Sequence, residues 1–498
     1  MEQVITEENK TKELEAKQFQ KMTQTSIPRL IIGLGIPTTL SMMVTSLYNL
    51  ADTYFVSLIG NDAVTAAVSN LLALMSIIQA IGFTFGMGSG SIISRLLGKH
   101  DKDGADEVAS SSFFIACVCG LAILLIGFIF LTPLMQLFGS RADDVLEYSC
   151  QYARFILISA PFMCMSFVLN NVLRAEGKAV LSMVGLLVGA LVNVALDPIL
   201  IFACNMGITG AAVATCCSQI ISFCVLLGMF LSGKTIIRIR LRSISRKFAV
   251  YGDVIATGLP SFWRQILASL CTVFLNGAAF DYGVLHYGVE EGGKAAQASF
   301  GVVQKMFMLA FSVSLGIGQG YQPVLGYNYA SKRFDRVKKA YVFTLSFSTL
   351  LMTVFATACA IFAPVVMQTF SLSEWATEIG TLTLRLQCIG MPLLPLNFMA
   401  SITYQSIGSK LAANVLSVSR QGLFYIPSVL ILPSIFHLFG VQCSQTVSDV
   451  FSFLFAIPFT VAFFKSLKKQ AKEHKIQKAA GLIDEKDEVV TIIQDNFE

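Results

Sequence analysis

The chain has 498 residues, a length that would ordinarily indicate two to four water-soluble domains. Its composition excludes that interpretation, because 54% of the residues are hydrophobic and only 13% are charged, against roughly 25% charged in typical soluble domains. A chain this apolar cannot bury its hydrophobic surface behind a water-facing shell. We therefore expect an integral membrane protein and exclude a soluble enzyme, a nucleic-acid-binding protein and a secreted scaffold.

The charged residues, which give a mild net charge of +5, are concentrated in three stretches. Residues 1–29, 232–253 and 465–498 carry 31 of the 67 charges, so the remaining 413 residues carry only 36. The polar N-terminus does not resemble a secretory signal peptide. Twelve cysteines are scattered through apolar segments without paired spacing, and only four histidines are present. This pattern predicts small buried hydrophobes and no zinc site.

Twelve apolar segments are each long enough to cross about 30 Å of hydrocarbon, which takes around 20 residues of helix. All are expected to be helical, because an open sheet cannot satisfy its backbone hydrogen bonds in lipid. Six precede the basic stretch in the middle of the chain and six follow it. The predicted limits are 30–55, 66–96, 110–135, 151–173, 180–203, 208–231, 254–280, 294–322, 341–366, 381–405, 411–433 and 440–464.

The two halves repeat each other in sequence. The run GMGSG at Gly86–Gly90 recurs as GIGQG at Gly316–Gly320, a shift of 230, and Gly177 recurs as Gly408, a shift of 231. Because six is even, the halves share one topology and are related by an axis along the membrane normal. The repeated glycines predict points of close packing between helices.

The fold prediction is therefore an all-α membrane protein with two six-helix lobes related by pseudo-two-fold symmetry. The basic stretch joins the lobes, and polar tails flank them. The predicted parts are an N-terminal tail (1–29), an N-terminal lobe (30–231), a basic linker (232–253), a C-terminal lobe (254–464) and a C-terminal tail (465–498).

Lysine and arginine are enriched in alternate loops, which sets the expected orientation. The basic positions include 99–102, 178, 234–247, 332–339 and 410, together with both tails. The intervening loops are poor in lysine and arginine. Since basic loops stay on the inner side, we expect both termini in the cytoplasm of a multi-pass cell-membrane protein.

Two carboxylates lie inside predicted spans, where an ionisable group costs at least about 2.5–3.5 kcal/mol and is a functional candidate. Asp52 lies in YNLADTYFV and Asp197 in LVNVALDPILIF. Asn193 precedes Asp197 by four residues and so shares its helical face. Pro198 lacks an N–H and leaves a carbonyl of the preceding turn without its usual partner. Several oxygens at one depth suit a proton or a small cation such as Na⁺, whereas a structural cap or an arginine partner is the alternative.

Other polar residues in the spans have simpler interpretations. Arg154 and Arg385 fall near span ends, where long side chains reach the interface. Arg264 and Asp281 lie toward opposite ends of one span, and we expect each to anchor the helix at an interface. The sequence leaves open whether Arg420 pairs with Asp449. It also leaves open whether polar residues such as Gln79, Thr215 and Gln219 line a cavity or bond across helices.

Several motifs resemble those of multidrug and toxic compound extrusion (MATE) transporters, in the MepA-like and DinF-like bacterial branch. The most specific is GIGQGYQPVLGYNYASKRFDRV at Gly316–Val337. YNLADTYFV, LRAEGKA, NVALDPILIF and the GLP of Gly258–Pro260 support it. The resemblance extends over roughly residues 30–464.

This resemblance implies a secondary transporter, with no catalytic residues and no cofactor, that exports bulky, often cationic compounds in exchange for H⁺ or Na⁺. Its partners would be the bilayer and drugs or toxic metabolites, without nucleic acid, and the protein would be a monomer. The resemblance assigns ion coupling, including any Na⁺ site, to Asp52, Asn193, Asp197 and Thr215. We add as candidates for cavity lining Tyr48, Asn49, Gln79, Pro198 and Gln219.

One departure concerns the C-terminal lobe. NorM-like members carry acidic cation ligands there, including in the seventh span, but that span has no acid before Asp281. A cation site of that kind is therefore not expected.

Two other functions fit the sequence less well. A lipid-linked oligosaccharide flippase of the same superfamily is disfavoured because the arginines within spans are few and lie near span ends. A membrane enzyme or receptor would need a concentrated polar site or a large ordered domain, and the sequence predicts neither. The substrate, the choice between H⁺ and Na⁺ and the role of the C-terminal tail stay open.

Overall fold

The computed structural model describes residues 2–59, 62–138, 140, 143–233, 235–370 and 373–479. The side chains of residues 2–11, 49–50, 53–54, 57, 62 and 65–66 lie outside this description. Within the described ranges the chain forms helices joined by short turns and contains no strand.

Fifteen α-helices follow one another along the described chain, and most are long and apolar. In order they are α1 Glu2–Gln24, α2 Ile27–Ser57, α3 Asp62–Leu97, α4 Lys102–Ile129, α5 Leu131–Leu137, α6 Asp143–Ala175, α7 Ala179–Pro198, α8 Gly207–Leu231, α9 Phe248–Tyr287, α10 Glu290–Ala330, α11 Phe334–Thr369, α12 Glu374–Gly390, α13 Leu394–Ile407, α14 Lys410–Val418 and α15 Ile426–Ala479. Short π-helical segments follow α7 at Ile199–Ala203 and α14 at Ser419–Tyr425.

Eleven helical segments among the described residues are long and apolar enough to cross a membrane, and the last of them, Lys410–Ala479, crosses twice. His437 has non-helical backbone angles, φ 52° and ψ −135°. Beyond it the chain folds back, because Ser444 Oγ donates to the Ser428 carbonyl at 3.3 Å. In a straight helix these residues would be about 24 Å apart. The predicted twelve crossings are thereby confirmed.

The same packing pattern appears in both halves. In the first, α6 packs against α3, α4 and α8, and α7 packs against α2 and α8. In the second, α12 and α13 pack against α10, α11 and α15, and α14 packs against α9. The halves meet through α2 with α10 and through α3 with α9, two pairs that exchange under a two-fold rotation. The predicted fold class is confirmed, while the residue limits of the lobes stay a prediction.

Backbone conformations repeat with the same spacing. Positive φ angles are uncommon for residues other than glycine, yet they recur in corresponding turns of the two lobes at shifts of 231 or 232. The pairs are Gly177 and Gly408 (φ 77° and 87°), His100 and Lys332 (both 58°), and Asn205 and His437 (both 52°).

The repeated glycines lie where helices of the two lobes cross. A Cβ atom at Gly88 would overlap the Val254 carbonyl, and one at Gly316 would overlap the backbone of Thr39. Only a residue without a side chain permits such close approach of two helix backbones. The prediction of close packing at these glycines is confirmed.

The N-terminal helix α1, the linker and the end of α15 lie at one face of the bundle, which we call the terminal face. Glu176 accepts hydrogen bonds there from the linker N–H groups of Ile236 and Ile237, at 3.1 and 2.9 Å. On α1, Met22 and Thr23 accept hydrogen bonds through their carbonyls from side chains of the C-terminal lobe. The linker and α1 therefore pack closely against the membrane helices.

Hydrogen bonds between the lobes, among the described residues, lie from the middle of the bundle to the terminal face. Thr38 Oγ1 donates to the Gly316 carbonyl at 2.6 Å, and the hydroxyls of Ser46 and Ser312 are 2.8 Å apart. Closer to the terminal face, Gln322 Nε2 donates to the Met87 carbonyl at 3.3 Å. The lobes are thus held together on the terminal side.

Candidate functional site

The N-terminal lobe places two carboxylates on helices that pack together. Asp52 lies near the end of α2, and Asp197 near the end of α7, which packs against both α2 and α8. Asp197 is fully buried and Asn193 is 1% exposed. The 3.6-residue helical period puts Asn193 one turn before Asp197 on the buried face.

The side chains of α7 and α8 meet through long hydrogen bonds. Asn193 Nδ2 is 3.4 Å from Asp197 Oδ1 and 3.4 Å from Thr215 Oγ1. The usual distance for such N–H···O bonds is about 2.9–3.0 Å. The amide is therefore shared loosely between two acceptors, which leaves the carboxylate available to a further partner.

Tyr152 of α6 links this group to α2 and was not found from the sequence. Its hydroxyl is 3.5 Å from Thr215 Oγ1, and it also interacts with the Asp52 carboxyl group. The ring is buried, with 1% exposure. A tyrosine in an apolar span carries no charge, so it does not stand out in the sequence as a candidate site residue. Only the packing of α6 against α8 shows that Tyr152 belongs to this cluster.

Three oxygens of this cluster have no hydrogen-bond donor among the described residues. They are Asp52 Oδ1, Asn193 Oδ1 and Asp197 Oδ2, each with almost no solvent-accessible surface. Buried polar atoms are nearly always partnered. A carboxylate and carboxamide oxygen set is the type that hard cations prefer, and carboxylates also accept a proton. The residues present therefore fit a small monovalent cation or H⁺.

The helix bearing Asp197 changes its geometry directly after that residue. Pro198 ends α7, and the π-helical segment Ile199–Ala203 follows. Such single-turn π segments are rare and occur frequently at functional sites. The sequence-based expectation of an irregular helix at Pro198 is confirmed.

The predicted cavity-lining residues lie in two places. Tyr48 bonds to Gln219 and lies near Asp52, so both belong to the carboxylate cluster. Gln79 accepts from Gln265 Nε2 at 3.4 Å, at the junction of the lobes. Pro198 is half-buried, and the side chain of Asn49 lies outside the described part of the chain.

The corresponding helices of the C-terminal lobe carry an ion pair instead. Arg420 Nε donates to Asp449 Oδ1 at 2.8 Å, with the side chains 10% and 0% exposed. Gln445 Nε2 donates to the same oxygen at 3.0 Å. The pairing that the sequence left open is therefore present.

Two further arginines lie within the bundle without an acidic partner among the described residues, Arg174 buried and Arg264 part-buried. The expectation that Arg264 anchors its helix at an interface was wrong: its guanidinium lies 5.2 Å from the centroid of Phe398, inside the lobe. Arg174, which the sequence analysis did not single out, is 4% exposed and donates to Gln319 across the lobes. By contrast, Arg154, Arg385 and Asp281 are exposed, as expected near span ends.

Twelve membrane crossings in two repeated lobes, with carboxylates in one of them that have no cationic partner among the described residues, define a multi-pass membrane transporter. The sequence model of the MatE family matches residues 37–199 and 266–431 of this chain. These matches cover more than half of the sequence, and the chain belongs to the MatE family.

Named relatives and solved structures agree with this assignment. The chain is 25% identical over 426 residues to the multidrug export protein MepA of Staphylococcus haemolyticus, covering 86% of this chain and 91% of that relative. It is 24% identical to MepA of Staphylococcus aureus, covering 87% and 93%. An outward-facing multidrug resistance MATE family transporter of the MOP superfamily superimposes with a TM-score of 0.84 at 27% identity, covering 91% and 99%.

Another similar structure is a MOP superfamily transporter from Pyrococcus furiosus, whose title describes a reverse polarity of its binding pocket. It has 26% identity and a TM-score of 0.84, with coverage of 91% and 99%.

Proposed function

We propose that this protein is a multidrug efflux transporter of a bacterial cell membrane, which exports bulky, often cationic compounds in antiport with H⁺ or Na⁺. The names of the relatives support drug export, and the family supports ion-coupled antiport without an enzymatic reaction or a cofactor. They do not favour the flippase alternative. We further propose a monomer with the five parts predicted from the sequence and with the terminal face in the cytoplasm.

The observation that carries the proposal is the group of three oxygens at Asp52, Asn193 and Asp197 that have no hydrogen-bond donor within the described part of the chain. A buried carboxylate is costly unless it is neutralised. Binding of H⁺ or Na⁺ removes that cost, so the packing of α2, α7 and α8 that suits the loaded site differs from the packing that suits the empty one.

Antiport requires that the ion and the drug favour different arrangements of the same lobes. The lobes are held together on the terminal side, and if that face is cytoplasmic the arrangement is outward-facing. In this arrangement the carboxylates are ready to receive an ion from outside. We infer that ion entry displaces the drug and lets the lobes rearrange toward the cytoplasm.

The test is export of ethidium from proteoliposomes under an imposed pH or Na⁺ gradient. Asp197→Asn keeps the size of the side chain and removes its titratable charge, so we expect gradient-driven export to fall at least tenfold with normal folding. Asp281→Asn is the matched control, because Asp281 is exposed near a span end. Unimpaired gradient-driven export in Asp197→Asn would reject the coupling role.

The two gradients also distinguish coupling to H⁺ from coupling to Na⁺. Export driven by a pH gradient in Na⁺-free buffer indicates H⁺ coupling. Export that needs Na⁺ at fixed membrane potential indicates Na⁺ coupling. Absence of export under either gradient rejects the proposed function.

A further inference from the structure

A cavity lies between the two lobes at the terminal face, and we call it the terminal cavity. Its volume is about 380 Å³, and small-molecule sites occupy about 300–1,000 Å³. Arg95 and Lys99, near the end of α3, line it from the N-terminal lobe, and Lys332 and Phe334 line it from the C-terminal lobe. The terminal cavity shares no residue with the carboxylate cluster. A molecule bound in it would touch both lobes.

The wall of the terminal cavity carries more positive than negative charge. Arg95, Lys99 and Lys332 are cationic, whereas Glu473 near the end of α15 is the one acidic residue among the described residues of the wall. Glu473 is exposed and lies 3.9 Å from Lys469 Nζ, so its charge is partly matched already. The terminal cavity therefore attracts anions.

The two lysines of the wall have no partner within the described part of the chain. The side chains of Lys99 and Lys332 form no ion pair or hydrogen bond with other described residues. By contrast, Lys102 in the turn that follows Lys99 bonds to Asp106 at 2.7 Å. One ammonium group from each lobe is thus available to an external acceptor.

Arg95 is fixed across the junction of the lobes. Its Nε donates to the Ser91 carbonyl at 3.3 Å. A Cβ atom at Gly408, in the turn between α13 and α14, would overlap the guanidinium group, so this side chain lies directly against the backbone of the other lobe. Asp253 lies near Arg95 but already accepts from Lys410 Nζ at 2.6 Å. The Nη groups of Arg95 form no hydrogen bond with described residues, which leaves paired donors for an oxyanion.

Aromatic rings lie beside these cations. Tyr329 and Phe334 both line the terminal cavity, and their rings meet edge-on with centroids 6.1 Å apart. The His474 ring of α15 meets Phe334 in the same way at 6.2 Å. A wall that combines cations with ring surfaces suits an anion that carries an organic group better than a bare ion.

We propose that the terminal cavity binds a phosphate ester and that the bound ester bridges the two lobes. Arginine forks and lysine ammonium groups are common donors to phosphate oxygens, and one phosphate group has enough oxygens for cations on both sides. The ester can belong to an anionic phospholipid, since basic pockets between membrane helices on the cytoplasmic side bind lipid headgroups. It can also belong to a soluble nucleotide. This inference goes beyond the proposed export function and does not depend on it.

The bridge has a consequence for the two lobes. A ligand that contacts cations of both lobes binds best to the arrangement in which their terminal sides meet. Because it binds the folded protein and not the unfolded chain, it also raises the unfolding temperature. Stabilisation that needs a cation from each lobe is therefore the signature of the proposed site.

The test uses the full-length protein in nanodiscs of pure phosphatidylcholine, with unfolding followed by tryptophan fluorescence. In one arm ATP is added without Mg²⁺, and in the other part of the phosphatidylcholine is replaced by phosphatidylglycerol. We expect at least one arm to raise the unfolding temperature. Stabilisation by ATP identifies a soluble phosphate ester as the ligand, and stabilisation by phosphatidylglycerol identifies a lipid headgroup.

Matched lysine variants separate the terminal cavity from general surface charge. Lys99→Gln and Lys332→Gln remove one cation from each lobe, and each should weaken the apparent affinity for ATP about tenfold, the loss expected for one charge-assisted contact. In the lipid arm each should at least halve the rise produced by phosphatidylglycerol. Lys247→Gln and Lys338→Gln remove exposed lysines outside the cavity wall and should change the affinity less than about twofold.

Three outcomes would overturn the inference. The first is an unfolding temperature of the wild-type protein that neither ATP nor phosphatidylglycerol raises. The second is an equal response of the cavity variants and the control variants, because the effect then comes from net charge. The third is a loss confined to one of the two cavity variants, which rejects the bridge between the lobes. All four variants replace exposed lysines, so each should fold normally.

Discussion

The two lobes share one packing pattern but differ in whether a buried carboxylate is paired with a cationic side chain. In the N-terminal lobe, helices α7 and α8 hold Asp197 beside Asn193 and Thr215, with no cationic side chain paired to it among the described residues. In the C-terminal lobe, the corresponding helices α14 and α15 and the π-helical segment between them join Arg420 to Asp449. The Asp449 carboxylate is neutralised within the protein, whereas the Asp197 carboxylate has no such partner among the described residues, as the proposed ion site requires.

The contrast shows that two lobes with the same helix packing can differ in whether a buried carboxylate has a cationic partner. The same pair of helices carries polar side chains in each lobe, and a π-helical segment lies near the site in each. A single internal counter-ion distinguishes the two carboxylates, and we propose that it separates a coupling site from a structural element. The predictions below test that distinction, beginning with the variant that should change stability most.

Breaking the ion pair should have the largest effect on stability. Arg420→Leu leaves Asp449 buried and uncompensated, so the free energy of unfolding should fall by about 3–5 kcal/mol. Thermal unfolding in detergent measures the change. The double variant Arg420→Leu/Asp449→Leu should recover most of the loss. If the single variant is as stable as the wild type, the pair does not neutralise a buried charge.

Removing the unpaired carboxylate should have little effect on stability. In Asp197→Asn no cationic side chain among the described residues loses its partner. We therefore expect the free energy of unfolding to change by less than about 1 kcal/mol. Asp449→Asn should lose about 1–3 kcal/mol, because it leaves Arg420 without its charged acceptor. Equal losses in the two variants would contradict the contrast between the lobes.

Supplying an acidic partner to Arg174, which has none among the described residues, should stabilise the contact between the lobes. Gln319→Glu would place a carboxylate against the buried Arg174, which already bonds to residue 319 across the lobes. We expect the lobes to be held more tightly on the terminal side, with a few-fold slower ethidium export and a higher unfolding temperature. Gln319→Met, which cannot accept a hydrogen bond, should lower that temperature instead.

Changing an exposed arginine should have the smallest effect. Arg385 lies near a span end, and its Nε donates to the Ala360 carbonyl at 3.3 Å. Arg385→Gln should change the free energy of unfolding by less than about 0.5 kcal/mol. A loss similar to that of Arg420→Leu would mean that exposure does not separate the structural arginines from the others.

Much of the fold was predictable because lipid imposes its constraint on each segment separately. Every crossing must be apolar and about 20 residues long, so the twelve spans are visible one at a time. The repeat was also visible, since close helix crossings require glycine at fixed positions such as Gly88 and Gly316. The boundary between the last two crossings was predictable for the same reason, and it falls at the sharp reversal of α15 at His437.

The candidate site was only partly predictable. Asp52 and Asp197 stood out because charge is rare in a span, and the structure brings their helices together. Tyr152 carries no charge and could not be recognised. Arg264 was misassigned, since a position within a span does not reveal which face of the helix turns toward the lobe interior.

The amino-acid sequence was sufficient to predict that the chain crosses the membrane twelve times in two related lobes and that two carboxylates lie within the first. This prediction was possible because the free-energy penalty for a charge or an unsatisfied backbone group in hydrocarbon applies to each residue, whichever helices pack around it. The tertiary structure alone decided which buried charges have partners. Arg420 meets Asp449, Arg264 meets the ring of Phe398, and the Asp197 carboxylate keeps an oxygen without a donor among the described residues. These outcomes depend on which helix faces pack together.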